Sequence, residues 1–142
     1  MTLKVLKLIE NAFLPVRANQ TDAGADLISP INIIIPPHGS ARIPLGIAIE
    51  LPVGTAGFIF ARSGLGANEG ITPRNKVGVI DEKYRGEIIV VLKNDTNEHY
   101  VVQRGQKIAQ LVIMPVFTPV IQEVIKLDMT GDRKGGFGST GK

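Results

Sequence analysis

Five short segments of this chain carry groups that could activate water or hold an anion, and the most concentrated runs from Asn75 to Glu87 (NKVGVIDEKYRGE). Its first half is an apolar, glycine-containing run that suits a buried strand, and it stops on Asp81 at the edge of a polar turn. The run Ile88 to Leu92 that follows is again strand-like, so the stretch predicts a β-hairpin with Asp81 and Tyr84 at its tip. A carboxylate just beyond an apolar strand sits where desolvation can tune it and a small ligand can still reach it, as a general base requires. Turns also favour Asp for local hydrogen bonding, and on its own Asp81 reads first as a turn residue.

The other segments supply donors. Arg62-Ser63-Gly64 stands between a strand and a short helical stretch, where a guanidinium, a hydroxyl and free N–H groups at a helix start would cradle an oxyanion; the plainer reading is that Ser63 caps the helix and Arg62 is solvated. Asp26 follows a small-residue loop, Ala23-Gly24-Ala25, and serves equally as a turn buttress. Gln110 lies in the apolar run from Lys107 and wants a hydrogen-bond partner, although a lone Gln in a strand usually faces solvent. The end of the chain, Gly136-Phe137-Gly138-Ser139-Thr140-Gly141-Lys142, imitates most of a phosphate-binding G-x-x-x-x-G-K loop. That motif needs a following Ser or Thr and a helix, and neither is present; what survives is a glycine-rich arm whose amides and hydroxyls suit phosphate and whose Phe137 suits stacking on a base.

The elements that must position these groups are predicted to be strands. Sixteen glycines and nine prolines in 142 residues exceed the usual share of roughly 12%, and they punctuate short apolar runs. The runs are Leu3 to Ile9, Ile31 to Ile35, Ala41 to Leu51 with breaks at Pro44 and Gly46, Gly57 to Ala61, Val77 to Ile80, Glu87 to Lys93, Tyr100 to Gln103, Lys107 to Phe117 and Val120 to Leu127. Strands so numerous and so evenly punctuated imply an all-β jelly roll, sandwich or barrel. One helix fits, Ser63 to Glu69, with Ser63 as cap and Gly70 as stop. The expected organisation is a single domain over 1–127, followed by a glycine-rich arm over 128–142 that needs a partner or ligand to order it.

Composition narrows the function classes. The absence of cysteine removes disulfides, thiol nucleophiles and thiolate metal sites, and two histidines leave little for a zinc site or a Ser-His-Asp triad. The net charge of +3 is spread over scattered Lys and Arg and aromatics are 5%, so no nucleic-acid stripe is visible; a small anionic substrate fits better. No apolar run approaches the roughly 20 residues of a membrane span, and a soluble cytoplasmic protein is the expectation.

Taken together and in order, the five segments from Ala23 to Gly141 resemble the five motifs of the homotrimeric dUTPase family. The resemblance implies a jelly roll whose three subunits build three active sites at their boundaries, each closed by a neighbour's C-terminal arm. It implies hydrolysis of dUTP to dUMP and pyrophosphate, limiting uracil in DNA and supplying the precursor of dTTP. By the same resemblance Asp81 activates the water that attacks the α-phosphorus, and Tyr84 packs on the deoxyribose where a 2′-hydroxyl would clash. Asn75, with the backbone of Gly78, Val79 and Ile80, reads the uracil edge, and Phe137 covers it. Arg62, Ser63, Gly64 and Gln110 hold the phosphates, Arg133, Ser139 and Thr140 close over them, and Asp26 is a supporting carboxylate. Mg²⁺ rides mainly on triphosphate oxygens and water. Arg133 stands four residues before Phe137 where the family usually has five, and Ala25 stands where it often has an aromatic or leucine. Related dCTP deaminases share the fold and carry a catalytic Glu five residues after the hairpin glycine; here that position is Val91. A non-catalytic nucleotide-binding protein on the same fold is the remaining alternative, and it would have no need to keep Asp81, Tyr84, Ser63 and Gln110 together.

Overall fold

Apolar side chains alternate along most of the strands, and that alternation builds the core. The structure, a computed structural model, describes residues 1–128. In chain order the elements are β1 (Lys4–Lys7), β2 (Gly24–Ile28), β3 (Ile33–Ile35), β4 (Ser40–Pro44), β5 (Ile47–Glu50), β6 (Thr55–Phe60), α1 (Ser63–Glu69), β7 (Ile71–Pro73), β8 (Gly78–Ile80), β9 (Ile89–Asn94), β10 (Tyr100–Val102) and β11 (Lys107–Pro115). Every pairing among them is antiparallel. A four-stranded sheet runs β2-β11-β6-β8, a three-stranded sheet runs β4-β9-β7, and two ribbons, β1-β5 and β10-β3, complete the jelly roll. Leu27, Ile35, Ile43, Leu92, Ile108 and Leu111 come from both large sheets and one ribbon and are almost wholly buried in a single cluster. Each such side chain contributes about 1.5–3 kcal/mol relative to exposure.

The helix falls where expected. Gly70 ends it in the left-handed conformation (φ 66°), its N–H bonded to the Leu65 carbonyl. That geometry favours glycine because any Cβ is strained there. The cap at the other end differs: Arg62, not Ser63, is the N-cap, its backbone extended, and no side chain caps the helix. Ser63 is exposed, and its hydroxyl has no hydrogen-bond partner among the described residues.

Two expected features do not form. The strands flanking Asp81 are not a hairpin: β8 pairs with β6, whereas β9 lies between β4 and β7. The returning chain is captured on its way by the β4–β5 turn, where Leu45 N–H donates to the Ile88 carbonyl (3.0 Å) and Ile88 N–H to that of Ile47 (2.8 Å). Val120 to Leu127 has strand composition but is not a strand, and Val120, Ile121 and Ile125 are almost fully exposed. Conversely, β2 and β7 escape the sequence reading. Gly24-Ala25-Asp26 are weak strand formers and Pro73 cuts the Ile71-Thr72 run short, and these strands exist because β11 and β9 offer them edges.

Candidate functional site

Because β8 and β9 belong to different sheets, the segment joining them arches over a gap instead of closing a ladder. That gap is a cavity of about 340 Å³ lined by Asn75, Gly78, Val79, Ile80, Asp81 and Tyr84, with Arg42, Glu87 and Val91 among the other walls. Asn75 enters it from a tight turn in which Lys76 takes a left-handed conformation (φ 66°) and Val77 N–H donates to the Asn75 carbonyl (2.8 Å). Gly78 keeps the floor clear, since a Cβ there would stand 3.3 Å from Ile59 Cβ and 3.4 Å from Asn75 Nδ2.

Several hydrogen bonds hold the turn at the mouth, among them those that seat the tyrosine. Tyr84 N–H donates to the Asp81 carbonyl (3.0 Å) and Tyr84 Oη to the Glu87 carbonyl (3.0 Å), while Glu87 Oε1 accepts from Gly46 N–H (2.9 Å). The tyrosine ring lies against Gly86, where a Cβ would be 2.6 Å from Cζ, so only glycine allows the ring this position. Asp81 is exposed, and its carboxylate has no hydrogen-bond or ionic partner among the described residues. The desolvation expected of it is not supplied by the described part of its own chain.

A second cavity, of about 440 Å³, is lined by Gly24, Asp26, Arg62, Ser63, Gly64 and Gln110, together with Ala18, Asp22 and Ala23. Gln110 on β11 is in register with Asp26 on β2 and with Phe60 at the end of β6, and that register brings Asp26, Gln110 and the Arg62-Ser63-Gly64 segment that follows β6 to one place. Asp26 is engaged on both oxygens: Arg62 Nε donates to Oδ1 and Lys107 Nζ to Oδ2, each at 2.8 Å. That holds Arg62 by Nε and leaves its terminal N–H groups with no acceptor among the described residues. Gln110 does not simply face solvent. Its Nε2 donates to the Ala61 carbonyl (2.9 Å), fixing the residue before Arg62, and Gly24 is small enough to let the amide lie there.

The structure thus gathers Asn75, Gly78, Val79, Ile80, Asp81 and Tyr84 in one cavity and Asp26, Arg62, Ser63, Gly64 and Gln110 in another, with no lining residue in common. Arg133, Phe137, Ser139 and Thr140 lie outside the described residues. Sequence reasoning missed Gly24, Gly86, Glu87 and Arg42. Gly86 and Glu87 lay within the stretch singled out, but nothing local distinguishes a glycine that seats a ring from one that turns the chain.

Fold and site define an all-β jelly roll with two cavities, one with apolar walls and a carboxylate unpaired among the described residues beside an aromatic ring, the other with a braced guanidinium, an arrangement suited to a phosphorylated ligand. Residues 10–141 match the dUTPase family model. The deoxyuridine 5′-triphosphate nucleotidohydrolases of Clostridium tetani and Gloeothece citriformis are each 48% identical over 141 residues, covering 99% of this chain and 97% of theirs. Among solved structures, the dUTPase of Staphylococcus bacteriophage 80alpha with dUpNHpp superposes with a TM-score of 0.91 at 30% identity, over 99% of both chains. A variant of the dUTPase from phage phi11 of S. aureus, whose structure describes a structural Mg(II) ion, superposes at 0.82 with 30% identity, over 89% of this chain and 98% of that one. The chain belongs to the dUTPase family.

Proposed function

We propose that this chain hydrolyses dUTP to dUMP and pyrophosphate, with Asp81 as the base. The observation that carries the assignment is the contrast between two carboxylates. Asp26 has both oxygens committed to cations, whereas Asp81 has no partner among the described residues and opens on a cavity shaped by Asn75 and Tyr84. A base needs a free lone pair within reach of water, and Asp81 meets that condition. Water attacks the α-phosphorus as Asp81 takes its proton. The bond from the α-phosphorus to the bridging oxygen breaks, and pyrophosphate leaves with the electron pair.

The uracil and sugar occupy the Asn75–Tyr84 cavity, with the Gly78 to Ile80 backbone against the base edge and Tyr84 excluding a 2′-hydroxyl. Arg62, with Ser63, Gly64 and Gln110, receives the phosphates; Asp26 keeps Arg62 in position and meets no substrate atom. Such positioning and charge neutralisation are the main demands of phosphoryl transfer. Mg²⁺ would be carried mainly on the phosphate oxygens and water, where it would neutralise charge.

Separate cavities for base and phosphates on one chain support a site completed between copies, hence the homotrimer, with Arg133, Phe137, Ser139 and Thr140 extending the proposal to the arm. Removal of dUTP and supply of dUMP for dTTP synthesis in the cytoplasm is the role that follows. Among the described residues no helix is long and apolar enough to cross a membrane.

The test is a side-by-side assay of dUTP, dCTP, dTTP and UTP, reading pyrophosphate and ammonia. We expect pyrophosphate from dUTP alone; ammonia from dCTP, or no turnover of dUTP, would refute the proposal. Asp81→Asn should bind dUTP nearly as well and turn over at least about 10²-fold more slowly. A variant close to wild type would remove Asp81 from the role.

A further inference from the structure

Two arginines outside both cavities' assigned machinery stand on the outer face of the three-stranded sheet, one on each side of Val91. Arg42 on β4 is in register with Val91. Arg74, just past β7, donates its backbone N–H to the Val91 carbonyl (2.8 Å). With neighbouring strands about 4.8 Å apart, their α-carbons are separated by roughly 10 Å. Between them lies a cavity of about 730 Å³ lined by Ser40, Arg42, Arg74, Asn75 and Val91.

The two charged groups here are both cationic donors, joined by the Ser40 hydroxyl and the Asn75 amide. Arg74 Nη1 donates to Ser40 Oγ (2.8 Å), which orients the guanidinium and leaves the serine proton for another acceptor. No carboxylate lines the cavity, and neither arginine belongs to an ion pair among the described residues. The other described arginines are accounted for: Arg62 meets Asp26, Arg17 and Arg85 donate to backbone carbonyls, and Arg104 lies over the Phe13 ring. Arg42 alone among them has no partner. Two like charges set on one apolar floor repel each other until an anion joins them. The planar guanidinium fork suits phosphate oxygens. The cavity of about 730 Å³ has room for a chain of two or three phosphates between the two arginines.

We propose that Arg42, Arg74 and Ser40 form a second anion subsite, taking a diphosphate or triphosphate group beside the Asp81 cavity. It opens on that cavity through Arg42, Asn75 and Val91, which line both, and shares no residue with the cavity of Arg62. The ligand is either free pyrophosphate or the phosphate chain of a nucleotide. Binding there is independent of whether the chain hydrolyses dUTP.

Isothermal titration of the full chain with inorganic pyrophosphate, and separately with ATP, in EDTA and at two salt concentrations tests this without turnover. The double variant Arg42→Gln/Arg74→Gln should bind pyrophosphate about tenfold more weakly with a shallower salt dependence, while Arg62→Gln, which removes the guanidinium of the other cavity, lowers pyrophosphate binding without abolishing it. Loss of pyrophosphate affinity alone assigns the subsite to the free anion, and parallel loss of ATP affinity assigns it to a nucleotide's phosphate chain. Both arginines are exposed, and the single variant Arg42→Gln, with no partner to lose, repeats the test where the double variant folds poorly. Unchanged affinity for both probes in the double variant, or pyrophosphate binding abolished by Arg62→Gln, overturns the proposal.

Discussion

Gly86→Ala isolates the position of the Tyr84 ring from everything else in the cavity. Gly86 is not in the left-handed region, so alanine there carries no backbone strain, and the effect is steric. The added Cβ would stand 2.5 Å from Tyr84 Oη and 2.6 Å from Cζ. Carbon atoms settle at about 3.5–4.0 Å, so the ring must withdraw by about 1 Å. The ring is 45% exposed and can move outward without disturbing the core. The move breaks the 3.0 Å bond from Tyr84 Oη to the Glu87 carbonyl. One such bond is worth about 0.5–1.5 kcal/mol, which lowers the melting temperature by a few degrees. If Tyr84 is the wall that excludes a 2′-hydroxyl, a 1 Å gap removes about 1–2 kcal/mol of discrimination, and the ratio of kcat/KM for dUTP over UTP falls roughly tenfold. Initial rates of pyrophosphate release on the two nucleotides measure it. Tyr84→Phe, which keeps the ring and loses the hydroxyl, should retain most of the selectivity. A Gly86→Ala protein with a lowered melting temperature and wild-type selectivity would refute the steric role of the ring.

Further outcomes follow from other contacts. Asp26→Asn removes the charge that braces Arg62 and Lys107, so KM for dUTP should rise about tenfold with a smaller change in kcat, and stability should fall by about 1–2 kcal/mol; steady-state kinetics and urea unfolding check both. Leu27→Ala hollows the core at a side chain 1% exposed and should cost about 3–5 kcal/mol in urea unfolding while leaving any residual folded enzyme active. The hydrogen bond and charge of Lys4 hold the Glu50 carboxyl below its ordinary value, with Arg85 adding a smaller pull. Its folded pKa is thus below its unfolded one, and the stability it contributes is present above the ordinary carboxylate range and lost as pH falls through the folded value. Glu50→Gln should flatten that part of the melting temperature against pH, by a small amount because the pair is exposed.

The strand runs were legible because β-branched and aliphatic residues alternate between glycine and proline breaks, and the helix because Gly70 terminates it. Their partners were not legible. A strand, a polar turn and a strand read locally as a hairpin, yet β8 meets β6 and β9 meets β4 and β7, since pairing is decided by edges distant in sequence. The same reason explains Val120 to Leu127, whose composition needs an edge that no described part of this chain offers. It explains β2 as well, a strand made by its neighbour β11 despite poor strand formers.

The site divides along the same line. Asp81 and Asp26 carry the same chemistry in the sequence, and each was open to a structural reading. Only the fold tells them apart, by giving Asp26 two cations and Asp81 none among the described residues. In the proposed reaction a saturated Asp26 serves by aiming the free end of Arg62, and the lone pairs that accept the proton are those of Asp81. The glycines are the converse case. Gly86 and Gly24 matter for the Cβ they lack, and what that atom would strike, the Tyr84 ring or the Gln110 amide, exists only after folding. Chemistry was therefore readable from residue type, while commitment and clearance, which decide how that chemistry is used, were written in the tertiary structure.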